Sequence, residues 1–101
     1  MEQRQEQLKN FLDAKGRLAA FPAKRKMKTI ALAYLAEKFE PGVRYGEREA
    51  NQLLELWHVF HDPATLRREL YNSRLLEREK DGSAYWLAED WPERIKALEN
   101  K

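Results

Sequence analysis

The chain has 101 residues, a length that predicts one compact domain with a single modest hydrophobic core. Hydrophobic residues make up 43% of it and aromatic residues 11%, which excludes a chain that stays disordered. The absence of cysteine excludes disulfides and thiolate metal sites and agrees with a reducing compartment. The formal net charge is only +2, so nucleic-acid binding, if present, must follow from where the charges lie.

Residues 1–20 are predicted to form a helical appendage to the core. Within Glu2–Ala14 one helical face carries Leu8, Phe11 and Leu12, and Gly16 is a stop signal. The segment lacks the apolar stretch of a signal peptide, and no run in the chain is long and apolar enough to span a membrane. We therefore expect a cytoplasmic protein that is not exported.

Two helices and a short strand are predicted next. Ala23–Phe39 is a helix because apolar residues recur at helical spacing, namely Met27, Ile30, Ala31, Tyr34, Leu35 and Phe39. Glu40-Pro41-Gly42 ends it, and Val43–Tyr45 is predicted to be an edge strand. Residues 47–60 return to helical spacing, with Ala50, Leu53, Leu54, Trp57 and Phe60 facing inward.

A further helix is predicted from Pro63 to about Ser73, because Asp62 before Pro63 is a strong helix start. Two strands follow, Leu75–Lys80 and Ser83–Leu87, joined by Asp81-Gly82 in a tight type I′ turn. Within residues 88–101, Asp90 and Glu93 resemble a capping box, and an apolar stripe of Trp91, Ile95 and Leu98 predicts a last helix.

This order of elements is that of a winged helix-turn-helix. The expected fold is α+β, with a three-helix core and a small antiparallel sheet in residues 21–87, flanked by the helices of residues 1–20 and 88–101. In such a domain the helix after the turn enters the DNA major groove and the hairpin forms the wing.

The helix from Pro63 carries the main candidate DNA contacts. Leu66 and Leu70 define its buried face, and Arg68 and Asn72 lie directly opposite, flanked by Thr65 and Tyr71. Arginine fits guanine edges and asparagine fits adenine, so these four residues are predicted to contact bases and phosphates. Arg67, on the border between core and solvent, is a further candidate DNA contact. The alternative is a solvated face, with Arg67 bridging to a glutamate of a neighbouring helix.

A second cationic cluster lies in "KRKMK", residues 24–28. Lys24, Arg25, Lys26 and Lys28 stand at the start of a helix, where the macrodipole disfavours positive charge. Such a break of a local rule is typical of a functional site, so these residues are predicted to touch phosphates. With four to six side chains on phosphates, the log-log slope of affinity against salt would be roughly −4 to −5. The alternative is a merely solubilising surface.

The charge of the hairpin and the number of aromatic residues leave protein binding open as an alternative to DNA binding. "EREKD", residues 77–81, is mostly acidic, so the hairpin is expected to meet phosphates only locally, through Arg78 or Lys80. The many aromatic residues could include an exposed protein-binding set among Trp57, Trp86, Trp91, Tyr34, Tyr45 and Tyr85. The alternative function is therefore a protein-interaction module that uses the winged helix as a scaffold.

An enzyme or metal protein is not expected. His58 and His61 have a spacing that can chelate zinc, but Asp62 is better used as a helix cap, which leaves no firm third ligand. The only serines, Ser73 and Ser83, do not lie in a nucleophile turn, and no glycine-rich phosphate loop is present. We expect no catalytic residues, metal or cofactor.

Three segments, "FPAKRKMKTIALAYLAEKFEPGVRY", "DPATLRRELYNSRLLERE" and "DGSAYW", together resemble an uncharacterised bacterial domain family of the DUF class. The resemblance covers about residues 21–86 and implies a winged-helix-like regulator that occurs alone or fused behind an ArsR-like helix-turn-helix. Two positions depart from the family's pattern. Gly46 stands where a threonine is common, which weakens a helix cap, and Arg74 stands where a glycine is common, at the turn into the hairpin.

The sequence thus predicts a transcription-associated module that binds duplex DNA of unknown sequence through Pro63–Ser73. A homodimer is expected, because two DNA-binding domains about one DNA turn apart would raise the specificity of binding.

Overall fold

The computed structural model describes residues 6–99. The fold is α+β, with four helices and one two-stranded antiparallel sheet. In chain order the elements are α1 (Arg25–Ala36), α2 (Glu47–Leu56), α3 (Pro63–Asn72), β1 (Leu76–Arg78), β2 (Tyr85–Leu87) and α4 (Trp91–Glu99). Within this range no helix has both the length and the apolar character that crossing a membrane requires.

The helix α1 forms the centre of the core. Every residue from Thr29 to Ala36 is buried, as expected for a helix covered on all sides, and both α3 and α4 pack against it. The predicted helix Ala23–Phe39 is confirmed with shorter bounds. It ends early because the amide of Phe39 bonds to the carbonyl of Ala36 in a tighter turn.

The N-terminal segment differs from its prediction. The expected helix Glu2–Ala14 is present in the described residues only at Glu6 and Gln7, and its first residues lie outside that range. The helix prediction is wrong for the second half of this segment. There the chain turns, because the carboxylate of Asp13 accepts hydrogen bonds from the amides of Lys15 (2.9 Å) and Arg17 (2.8 Å). The bond from the Arg17 amide is the main reason why the pKa of Asp13 lies below its usual value.

This turn brings the chain back on itself and into the core. Leu12 and Leu18 form an antiparallel bridge, and Gly16 between them has a φ of +79°, which a glycine adopts without strain. Leu8 and Leu18 are both fully buried. The hydroxyl of Tyr34 in α1 donates to the carbonyl of Gly16 (2.7 Å). Residues 8–18 therefore pack as part of the core and are not an appendage to it.

The position of Leu18 also explains where α2 ends. The spacing of apolar residues predicts a helix over residues 47–60, but α2 stops at Leu56. The amide of Leu18 bonds to the carbonyl of Trp57 (2.7 Å), and the amide of Val59 bonds to the carbonyl of Leu18 (3.0 Å). These bonds draw the chain after Leu56 into a parallel bridge that excludes a further helical turn.

The sheet is smaller than predicted. The antiparallel register pairs Leu76 with Leu87 and Arg78 with Tyr85. The predicted strand Val43–Tyr45 is reduced to a single bridge, in which Tyr45 exchanges two backbone hydrogen bonds of 2.7 Å with Tyr85. This bridge ties the connection between α1 and α2 to the hairpin.

The turn of the hairpin is also not the predicted type I′ turn at Asp81-Gly82. The amide of Glu79 bonds to the carbonyl of Ala84 (3.0 Å), so the loop spans residues 80–83. Gly82 donates back to the carbonyl of Glu79 (2.9 Å) and has a φ of +75°. The carboxylate of Asp81 accepts from the amide of Ser83 (2.9 Å), a local bond that favours this wider loop.

Candidate nucleic-acid interface

The helix α3 starts as the sequence predicts. Pro63 is its first residue, and the carboxylate of Asp62 accepts from the amide of Thr65 (3.3 Å). A hydrogen bond from the Thr65 side chain is the largest cause that lowers the pKa of Asp62, and the charge of Arg68 adds to it. Thr65, predicted as a DNA contact, thus takes part in the helix cap.

The turn before α3 is fixed by His58, whose side chain is buried. Its Nδ1 donates to the carbonyl of Leu54 (2.6 Å), and its Nε2 accepts from the amide of Asp62 (2.8 Å). Because the main chain occupies both ring nitrogens, neither is available to zinc. In the part of the chain that the structure describes, no group of three or more ligating side chains is placed to hold a metal ion.

The predicted faces of α3 are confirmed. Leu66 and Leu70 are fully buried, whereas Arg68 and Asn72 are exposed. Tyr71 is 39% exposed. The helix therefore presents one cation, one amide and one ring to solvent.

The hairpin completes this surface. Arg78 of β1 lies with its guanidinium 4.7 Å from the centre of the Tyr71 ring, a cation–π contact between hairpin and helix. Arg68, Tyr71, Asn72 and Arg78 line one shallow groove together. We call these four residues the α3 face.

Arg67 lies at the base of the same groove and makes contacts within the molecule. Its Nη1 donates to the side-chain oxygen of Asn51 in α2, and its guanidinium lies 5.4 Å from the Tyr85 ring centre. The expected alternative was a bridge to a glutamate of a neighbouring helix, and the observed partner is an asparagine. These contacts give Arg67 a role in joining α2, α3 and β2.

The cations at the start of α1 divide into two groups. Arg25 and Lys28 line a second groove that also contains Asn72, so this end of α1 is continuous with the α3 face. Lys24 and Lys26 are exposed and line neither groove. Lys80 lines a separate groove near the tip of the hairpin, away from Arg68 and Asn72.

The acidic side chains that border the α3 face are neutralised from within the molecule. Glu69 pairs with Lys28 (3.2 Å), and Glu77 pairs with Arg94 of α4 (3.1 Å). Among residues 6–99, no carboxylate lies within ion-pairing distance of Arg68 or Arg78; the nearby carboxylates of Asp62 and Asp81 feel the charges of Arg68 and Arg78, which help to lower their pKa values. The α3 face is therefore positive even though the net charge of the chain is small.

Sequence reasoning missed Arg74, which lies where α3 turns into β1. Its φ is +67°, and the helix ends in a Schellman motif, with the amide of Arg74 bonded to the carbonyl of Tyr71 and that of Leu75 to Leu70 (both 3.0 Å). Glycine is the usual residue at this position of the motif. The exposed side chain of Arg74 adds a cation where the motif usually has glycine.

Replacing Arg74 by glycine is expected to raise the free energy of unfolding by about 0.5 to 1 kcal/mol, because glycine has no Cβ penalty at positive φ. Urea denaturation measures the difference. The matched control is Arg68→Gly, which places glycine in the middle of a helix and should lower stability by about 1 kcal/mol. Equal losses in both variants would contradict the assignment of strain to Arg74.

The fold and this surface define a small α+β domain with a cationic helix face next to a β-hairpin. The chain belongs to the bacterial family described as "Uncharacterized protein conserved in bacteria (DUF2087)", whose model matches residues 17–87. This confirms the family resemblance of about residues 21–86. The fusion to ArsR-like regulators stays an expectation. No curated protein and no solved structure matches the chain.

Proposed function

We propose that this protein is a winged-helix, transcription-associated module that binds duplex DNA, with α3 in the major groove and the hairpin as the wing. The observation that carries the proposal is the α3 face, where Arg68 and Asn72 point outward beside Arg78 while Glu69 and Glu77 are paired with the protein's own cations. Because these two glutamates are paired within the molecule, they do not bind Arg68 or Arg78, and both arginines can contact a polyanion.

The connectivity supports the winged-helix part of the proposal. The bridge between Tyr45 and Tyr85 adds a strand-like residue from between α1 and α2 to the hairpin, in the place where a winged helix has its first strand. The order helix, bridge, helix, helix, hairpin is compatible with that fold, which supports the proposal.

The residues of the surface suit different parts of DNA. Arg68 and Asn72 can make two-pronged contacts to guanine and adenine in the major groove. Arg25, on the α1 side of Asn72, and Arg78, on the hairpin side, lie where phosphates on the two sides of a groove would pass. Lys24 and Lys26 are free to add contacts to phosphates further along the backbone.

The rival function, a protein-interaction module, has less support. Among the described residues, the large hydrophobic side chains that are exposed are Leu56 in α2 and Tyr71 in α3, with Tyr71 covered in part by Arg78. Two separate side chains on different helices do not form the contiguous apolar patch expected of a protein-binding face. The tryptophans Trp57, Trp86 and Trp91 are half-buried.

Fluorescence anisotropy with a labelled random-sequence duplex tests DNA binding. We expect binding at low salt that weakens with a log-log slope of roughly −4 as salt rises, since each phosphate contact releases counterions. Arg68→Ala should bind about tenfold more weakly.

The control is Lys96→Ala, which removes the same charge from an exposed position of α4 that lines neither groove, and which should bind like the wild type. Absence of binding at low salt would move the assignment to the interaction module. Equal affinities for Arg68→Ala and Lys96→Ala would remove Arg68 from the site. Sedimentation with and without duplex tests the expected homodimer.

A further inference from the structure

A cleft of about 460 Å³ lies between the C-terminal end of α3, the hairpin and α4. Its walls include Tyr71, Asn72, Arg74, Arg78, Trp86 and Arg94, and we call it the Trp86 cleft. It shares Tyr71, Asn72 and Arg78 with the α3 face and extends from them to α4, so it is a second feature of the same side of the molecule.

The charge in the cleft is positive. Its one carboxylate, Glu77, pairs with Arg94 (3.1 Å), which also pairs with Asp90 (2.7 Å) and donates to the carbonyl of Arg74 (2.8 Å). These contacts fix Arg94 as part of the wall. Within residues 6–99, no carboxylate lies within ion-pairing distance of Arg74 or Arg78, so both guanidinium groups can bind an anion, although the charge of Arg78 also acts on the Asp81 carboxylate and helps to lower its pKa.

The cleft also contains an aromatic platform. Trp86 is half-buried, and its ring is held by the guanidinium of Arg44, 4.1 Å away, which lines the neighbouring cleft and not this one. A fixed indole next to unpaired arginines favours a ligand that combines a flat aromatic ring with negative charge. Asn72 adds a carboxamide that can pair with the edge of such a ring.

The backbone fixes the position of Arg74. Its φ of +67° is that of the residue that ends the Schellman motif, and such a φ is strained for a residue with a Cβ. The motif therefore holds the start of the Arg74 side chain at one place beside the cleft. Here the strain is accompanied by an unpaired guanidinium in the wall of the cleft.

We propose that the Trp86 cleft binds a phosphorylated aromatic ligand with the chemistry of a nucleotide. Arg74 and Arg78 bind its phosphoryl group, and Trp86 stacks on its base. The same chemistry is available from a free mononucleotide and from a single nucleotide of a nucleic acid. The proposal does not depend on duplex binding. Because the cleft and the α3 face share three residues, a bound nucleotide would compete with a duplex on α3.

Titration of the ¹⁵N-labelled protein with adenosine 5′-monophosphate tests the site. The indole N–H resonance of Trp86, identified by its loss in Trp86→Phe, is expected to shift at submillimolar nucleotide. Adenosine and inorganic phosphate should each bind about tenfold more weakly, because one lacks the charge and the other the ring. No shift at roughly 10 mM nucleotide, a dissociation constant too weak for a specific site, would overturn the proposal.

Arg74→Gly is the decisive variant, because it removes the guanidinium and is expected to stabilise the fold, and urea denaturation of the same sample checks that it is folded. It should bind the nucleotide about tenfold more weakly. Arg48→Ala, on an exposed position of α2 that is not part of the cleft, should bind like the wild type. Equal affinities for Arg74→Gly and Arg48→Ala would overturn the proposal.

A further comparison separates the two sources of the ligand. Thymidine 5′-monophosphate and a 5′-phosphorylated oligothymidylate carry the same base and phosphate, the first as a free nucleotide and the second as part of a strand. Tighter binding of the strand, weakened by Arg74→Gly, identifies a nucleotide of a nucleic acid as the ligand, and equal binding identifies the free nucleotide. Arg68→Ala, which lies outside the cleft, should keep nucleotide binding even where it loses duplex binding, so the two functions fail separately.

Discussion

Leu18→Ala is expected to lower the free energy of unfolding by about 3 to 5 kcal/mol, the range for a leucine removed from a rigid core. Leu18 is fully buried, and its backbone is bonded on both sides, to Trp57 and to Val59. The surrounding structure therefore cannot collapse into the space that the side chain leaves. Since small domains are stable by only about 5 to 15 kcal/mol, much of the stability would be lost. Urea denaturation followed by tryptophan fluorescence measures it.

The control is Leu56→Ala, the same substitution at a leucine that is 67% exposed. It should change the free energy of unfolding by no more than about 0.5 kcal/mol. The contrast tests whether residues 8–18 belong to the core. Similar small losses in both variants would show that this segment is an appendage, as the sequence alone suggested.

His58→Ala should lower the free energy of unfolding by about 2 to 4 kcal/mol. The substitution removes the donor to the Leu54 carbonyl and the acceptor of the Asp62 amide, and each buried polar group left without a partner costs about 1 to 3 kcal/mol. It also removes a ring that packs 4.6 Å from the ring centre of Phe60. The same denaturation experiment provides the measurement.

His61→Ala serves as the comparison, because His61 is exposed three residues away and makes none of these bonds. Its loss of stability should stay within about 0.5 kcal/mol. A His58→Ala protein as stable as His61→Ala would mean that the ring does not hold the turn between α2 and α3.

The helix α3 was predictable because its signals are local. Asp62 and Pro63 mark its start within two residues, and the spacing of Leu66 and Leu70 fixes which side is buried. Once that side is known, the outward direction of Arg68 follows from the helical repeat. No knowledge of the rest of the chain is needed for any of these steps.

The N-terminal segment was not predictable in the same way. Leu8, Phe11 and Leu12 have helical spacing, but the chain turns at Asp13 because a side chain captures nearby amides and Leu18 finds a partner at Trp57. The second cause is a contact across some forty residues of sequence. The spacing of apolar residues shows which residues are suited to the core. It does not show that a backbone segment distant in sequence will form hydrogen bonds with the same residues and prevent the helix.

The sequence shows which charged residues surround the candidate site but not which of them are paired with one another. Counting charges along "KRKMK" gives Lys28 the same weight as Arg25, yet Lys28 is paired with Glu69 of α3. The acidic sequence of the hairpin likewise predicts poor contact with DNA, yet in the structure Glu77 is paired with Arg94 of α4. Ion pairs between distant elements redistribute charge over the surface, so a local count cannot give the field that a ligand meets.

The Schellman motif at Arg74 has a consequence for how the protein would meet a partner. Only residues 73–75 separate α3 from β1, their amides are bonded back to the helix, and Arg78 is stacked on Tyr71. Helix and hairpin are therefore preorganised as one rigid body. Little conformational entropy remains to be lost on docking, so association should be a fast rigid-body encounter without induced fit.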